Sequence, residues 1–152
     1  MPLTLRDIKG AHKNAYCVSL TLAAITGRAP KDIGRLVHSG LHGRKLPKRL
    51  RTDDDVDDWL AIANFLGGNC TPGDDYSEIS FSERPTIVSW MAGKNRRNLE
   101  LVFCDDGASI GHVFATENNE VVDTYTDGKR ARFQGVPQEY GALRVGRTFR
   151  LW

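Results

Sequence analysis

The spacing of apolar positions changes character about two-fifths of the way along the chain. From about Tyr16 to Thr26, Val18, Leu22 and Ile25 recur on one helical face, and Gly27 offers a left-handed stop. A second helix is predicted from Pro30, a favourable first-turn residue, with Ile33, Leu36 and Val37 on one side, ending near "HSGLHG". "TDDDVDDWLAIANFLGG" predicts a third. Thr52 or Asp53 caps it, carboxylates face its positive end, and Val56, Trp59, Leu60, Ala63 and Leu66 form a stripe that Gly67-Gly68 ends. Beyond "CTPGDDYSE" the apolar runs shorten and become β-rich: "PTIVSWM", "LELVF", "SIGHVFAT", "EVVDTY" and the C-terminal "ALRVGRTFRLW". Short turns between them favour antiparallel pairing, because parallel neighbours need a long crossover. The expectation is a single α+β domain over residues 1–152, a helical lobe followed by a twisted antiparallel sheet.

Composition narrows the function classes. With 40% hydrophobic and 26% charged residues the chain is an ordinary globular one, and no apolar run approaches the ~20 residues of a membrane span. The formal charge of +2 gives no global argument for nucleic acid or a membrane surface as partner. "MPLTLRDIKG" lacks the apolar core of a secretory signal, and three scattered cysteines suit a reducing compartment, so a cytoplasmic location is expected.

The candidate chemistry starts from the cysteines. Cys17 stands where a polar stretch gives way to the first helix, and a helix N-terminus with its free N–H groups favours thiolate. Taken alone, it reads better as a small buried packing residue, since cysteine is among the most buried residue types; the combination with the groups below favours a site. The hairpin "GHVFATENNEVVDTY" supplies the second part. Asn118-Asn119 is a plausible two-residue turn, since asparagine tolerates positive φ. In that register Glu117 faces Glu120, Phe114 faces Asp123 and His112 faces Tyr125. His112 and Asp123 then share a face as diagonal neighbours, roughly 7–8 Å apart in the backbone and within side-chain reach. An odd-length loop would separate them. A carboxylate-oriented histidine lacks only a nucleophile, and a nearby imidazolium favours the thiolate further. The amide of Cys17 and the side chain of Asn14 are the candidate oxyanion donors.

The order "AYCVSLTLAAITG", "RPTIVSWM", "GHVFATENNEVVDTY" resembles the papain-like cysteine peptidase superfamily, particularly its compact bacterial and phage members. There a cysteine opens the first core helix, a histidine starts a sheet strand, and an Asn or Asp follows on the next strand. The resemblance implies Cys17 as nucleophile, His112 as general base and acid, and Asp123 as the orienting residue. Many papain-like enzymes carry a glutamine about six residues before the cysteine; here that position is Ala11, beside His12, which is why Asn14 is considered as donor.

The expected function is a cysteine-dependent hydrolase or acyltransferase acting on a protein or peptide, at a peptide, isopeptide or side-chain amide, without a cofactor or metal. Deamidation and transglutamination use the same three groups. The alternative is an inactive papain-like module that binds and inhibits a protein or anionic partner. Its candidate surface is "RKLPKRLR", residues 44–51, with five basic residues in eight, although "DDDVDD" beside it can neutralise it internally. Cys70 and Cys104 lack a helix start or a paired histidine and are expected to pack. His38 and His42 have metal-ligand spacing, but Gly40 and Gly43 interrupt them, so they are assigned to a loop.

Overall fold

The computed structural model of the protein describes residues 3–8, 17–29, 31–33, 35, 69–92, 97–108, 111–132 and 141–152. The third predicted helix, the basic segment 44–51, His38, His42 and Asn14 lie outside the described residues, as does most of the second helix; residues 31–33, where that helix begins, are helical.

Six strands form one antiparallel sheet: β1 (Cys70–Asp75), β2 (Glu100–Asp105), β3 (Gly111–Glu117), β4 (Glu120–Val122), β5 (Ala131–Arg132) and β6 (Arg144–Leu151), in the spatial order β1-β6-β2-β3-β4-β5. Every pairing is antiparallel: β2–β3, β3–β4 and β4–β5 follow one another along the chain by short connections, and β6 returns to lie between β1 and β2. Together with helix α1 (Cys17–Thr26) and a short helix α2 (Ile87–Ala92), this is an α+β architecture. Among the described residues no helix is long and apolar enough to cross a membrane.

Alternation along the strands creates two apolar clusters. Leu101, Phe103, Val113, Ala115 and Val122 join α1, while Val102, Cys104, Phe114, Val121 and Val145 join Ile87, Trp90 and Met91 of α2. The α1 side chains at 20–25 are all buried, wider than the single stripe read from the sequence. The reason is the extended segment 3–8, which covers the helix: Leu3, Leu5 and Ile8 are buried, and Thr4 and Arg6 donate their amides to the carbonyls of Ile25 and Ala24. A helix apolar all round needs cover all round. Gly27, at φ 74°, ends it by returning its N–H to the Ala23 carbonyl at 2.9 Å.

Three assignments are corrected. "PTIVSWM" is helix α2 rather than a strand. Its β-branched residues read as strand, but the Thr86 hydroxyl caps the amide of Ser89 at 3.1 Å, and Ile87, Trp90 and Met91 fall on one buried face. "EVVDTY", expected as a strand throughout, is strand only over Glu120–Val122 and then turns; "CTPGDD", which carried no strand expectation, is edge strand β1. Pro72 is tolerated because, among the described residues, nothing pairs on its outer side, and the Thr148 hydroxyl accepts the Asp74 amide at 2.8 Å where the ladder with β6 is interrupted. The two-residue strand β5 carries no pattern long enough to be read.

One irregularity lies beside the candidate site residues His112 and Asp123. The β3–β4 ladder pairs Ala115 with Val122 and ends there, and the next residues turn away as a 3-10 turn at Thr124–Thr126. Continued in register, residue 124 would face Val113. Instead the Thr21 hydroxyl of α1 donates to the Val113 carbonyl at 3.2 Å, so the helix takes the place the strand vacates. Replacing Thr21 by valine keeps the volume and removes this donor from a buried carbonyl. Thr21→Val is expected to lower stability by about 1–2 kcal/mol, read as a reduced urea midpoint with an unchanged slope.

Candidate active site

Asn118 and Asn119 adopt φ of 55° and 61°, the left-handed pair that a two-residue hairpin requires, and Glu117 pairs with Glu120. The register read from the sequence is observed as far as Ala115–Val122, and the expected cross-strand pairs Phe114–Asp123 and His112–Tyr125 lie beyond the ladder. It brings the Asp123 carboxylate onto the His112 imidazole: Nε2 lies 2.8 Å from both Oδ1 and Oδ2. Asp123 is fully buried and His112 is 6% exposed, so water competes little for this contact.

The imidazole is held from its faces as well. Tyr125 stacks on it with ring centres 4.8 Å apart and planes 25° apart, and Phe114 lies 6.2 Å away at 27°. His112 and Tyr125 are not the cross-strand partners that the sequence register predicts, because the ladder stops at Val122 and Tyr125 lies in the turn; their rings stack instead. Cys104 is the cross-strand partner of His112 on β2, and its thiol donates to the His112 carbonyl at 3.5 Å.

Cys17 is the first residue of α1 and is half-buried. Its thiol lies close enough to the same imidazole to raise the ring's affinity for a proton. With Nε2 engaged by Asp123, Nδ1 is the nitrogen left for sulfur. One ring therefore stands between a thiol and a carboxylate. Asn14 is outside the described residues, so of the four residues selected from the sequence, three come together.

Electrostatics follow from this arrangement. Burial alone would lower the affinity of His112 for a proton, but hydrogen bonds and charge from Asp123 and Cys17 outweigh it and push its pKa up to about 10. The other thiols behave differently. Burial pushes Cys70 up to about 11. Cys104 is raised well above the ordinary range, by burial first and then by the negative charges of Asp123, Cys17 and Asp105. Both pack against the core, as expected of them, and both stay protonated at neutral pH. Among the described residues no group of three His, Cys, Asp or Glu side chains is arranged around a common metal position.

Two contributors were not assigned a role from the sequence. Thr21 gave no signal, because a threonine inside an apolar helix reads as a neutral substitution. Thr126 did leave one: "DTYT" sets a hydroxyl three residues after an Asp, a common side-chain-to-backbone turn pattern. Compared with family models, curated proteins and solved structures, the chain matches none.

The raised pKa of His112 has a definite sign in stability. The folded protein binds this proton more tightly than the unfolded chain. The resulting stability is complete below about pH 6.5 and is lost as pH rises toward about 10. The ring resonances of His112 are expected to stay those of imidazolium through pH 8 and to titrate near 10 by NMR. Over the same interval the stability advantage of the wild type over His112→Gln should shrink in urea unfolding. A ring that titrates near 6.5 would contradict the pairing.

Proposed function

We propose that the protein is a cysteine-dependent hydrolase or acyltransferase of papain-like architecture, acting on amide bonds of a protein or peptide through Cys17, His112 and Asp123. The observation that carries this reading is the shared imidazole: one nitrogen bonded to a buried carboxylate at 2.8 Å, with the thiol at the start of α1 near enough to raise the ring's proton affinity.

The chemistry follows from that geometry. An imidazolium beside a thiol is the setting in which thiolate forms, and a helix N-terminus favours that charge further. The Cys17 thiolate attacks the substrate carbonyl carbon, forming a C–S bond while the carbonyl electrons move to oxygen. The Cys17 amide is one donor for that oxyanion. As the carbonyl re-forms, the C–N bond breaks and His112 passes its proton to the departing amine. His112, now neutral, takes a proton from water as it attacks the thioester, the C–S bond breaks, and the acid leaves. An incoming amine in place of water gives acyl transfer, and a side-chain amide in place of a peptide gives deamidation. Asp123 fixes the ring orientation and stabilises its charged form without being consumed.

Two features favour a working site over a packing cluster. Cys17 packs against the core yet is half-buried rather than fully enclosed, and unlike the equally half-buried Cys70 it has an imidazole beside it. The ring is also braced by two aromatic side chains, which restricts it to one orientation.

The test is selective alkylation with iodoacetamide near pH 7, followed by peptide mapping. Cys17 should react much faster than Cys70 or Cys104, and His112→Ala should slow it by roughly a hundredfold, the scale of a lost acid–base partner. Cys17→Ala should abolish hydrolysis of a pool of fluorogenic peptide amides with little change in thermal unfolding. Asp123→Ala should leave weak activity, and Asp123→Asn more, because an amide oxygen still orients the ring. Equal labelling of all three cysteines would favour a non-catalytic binding module instead.

A further inference from the structure

Asp123 lies just past the end of a ladder. Its neighbour Val122 is the last residue paired with β3, and β5 pairs with Glu120 and Val121, so neither adjoining strand holds the Asp123 backbone. Its carboxylate nonetheless meets Nε2 with both oxygens at 2.8 Å, an alignment that tolerates little movement. Something else must fix the residue.

The hydroxyl of Thr126 does so from three residues away. Its Oγ1 accepts the Asp123 amide at 2.9 Å and donates to the Asp123 carbonyl at 3.0 Å. The same carbonyl also accepts the Thr126 amide at 3.2 Å and the Gly128 amide at 2.9 Å. The chain can fold back this tightly because Asp127 and Gly128 take φ of 56° and 72°. The turn is then pinned from outside, with the Ile8 amide donating to the Gly128 carbonyl at 2.8 Å.

We propose that Thr126 is a positioning residue for the candidate active site, its hydroxyl locking the Asp123 backbone so that the carboxylate is aimed at His112. The proposal rests on the three-residue site described above, but it is tested on the His112–Asp123 contact and so does not depend on turnover. Thr126 touches neither the imidazole nor the thiol; it acts through Asp123. A merely structural turn threonine would affect stability and leave the proton affinity of His112 where it is. The titratable groups that act on that ring are Asp123 and Cys17, with the protonated Cys104 thiol at its backbone. Thr126→Val changes none of them chemically.

The experiment compares the NMR titration of His112 in the wild type, Thr126→Val and Thr126→Ser. The wild-type midpoint is expected near 10. Thr126→Val, with the carboxylate no longer aimed, should bring it down by about one unit or more, a tenfold loss of proton affinity. Thr126→Ser keeps the hydroxyl and should restore it. In an Asp123→Asn background the Val substitution should have no further effect on the midpoint. A folded Thr126→Val protein with the wild-type midpoint overturns the proposal, and so does a Ser variant shifted as far as Val. Amide exchange of the wild type gives a reading that needs no variant to fold: slow exchange at Asp123 supports the lock, and exchange at the rate of an open loop overturns it. Failure of selective Cys17 labelling with the His112 shifts intact would remove the hydrolase reading and leave the positioning role standing.

Discussion

The register of a single two-residue hairpin governs this site. Period-two alternation means that one residue more or less between Glu117 and Glu120 would turn Asp123 to the other side of the strand pair. The left-handed conformations of Asn118 and Asn119 settle the count, and the chain carries it six residues back to His112 along β3 and four residues on to Asp123, one past the end of β4. Polar side chains are then buried in contact with each other rather than singly, which is the condition under which a low-dielectric interior strengthens rather than penalises them.

The second condition is that the hairpin stops early. A full-length β4 would cover the β3 edge opposite Val113 and leave nowhere for α1 to approach. Because the chain departs after Val122, Thr21 bonds that edge and the start of the helix comes to the histidine. The departing segment is not idle, since it supplies the carboxylate, the stacking tyrosine and the threonine that closes the turn. Helix, strand and turn thus meet at one break in an otherwise regular sheet.

Much of this was legible from residue types. The α1 boundaries, the antiparallel character, strands β2, β3 and β6 and the His112–Asp123 register all follow from local periodicity and a turn with strong conformational demands. What escaped was decided by tertiary surroundings. Ile87 and Val88 favour strand by propensity, yet a capping threonine and a buried tryptophan make the segment helical. Pro72 and Gly73 give no strand signal until β6 lies beside them. The cover of α1 by residues 3–8 could not be inferred from the helix itself, because an apolar position does not say which element buries it. Thr21 and Thr126 are of the same kind: a hydroxyl has many partners available locally, and the fold selects one.

The segment 3–8 also has a consequence for how the molecule assembles. Thr4 bonds Glu117 across 113 residues, and the Asp7 carboxylate accepts the Arg130 amide across 123, whereas His112 and Asp123 are separated by 11. Closing the short loop costs far less chain entropy than closing the long ones. The histidine–carboxylate half is therefore the part that can organise locally, while the thiol half is delivered by contacts of high sequence separation that form slowly. On a ribosome the order is reversed in time: Cys17 emerges first and must wait, exposed, for the hairpin that will receive it.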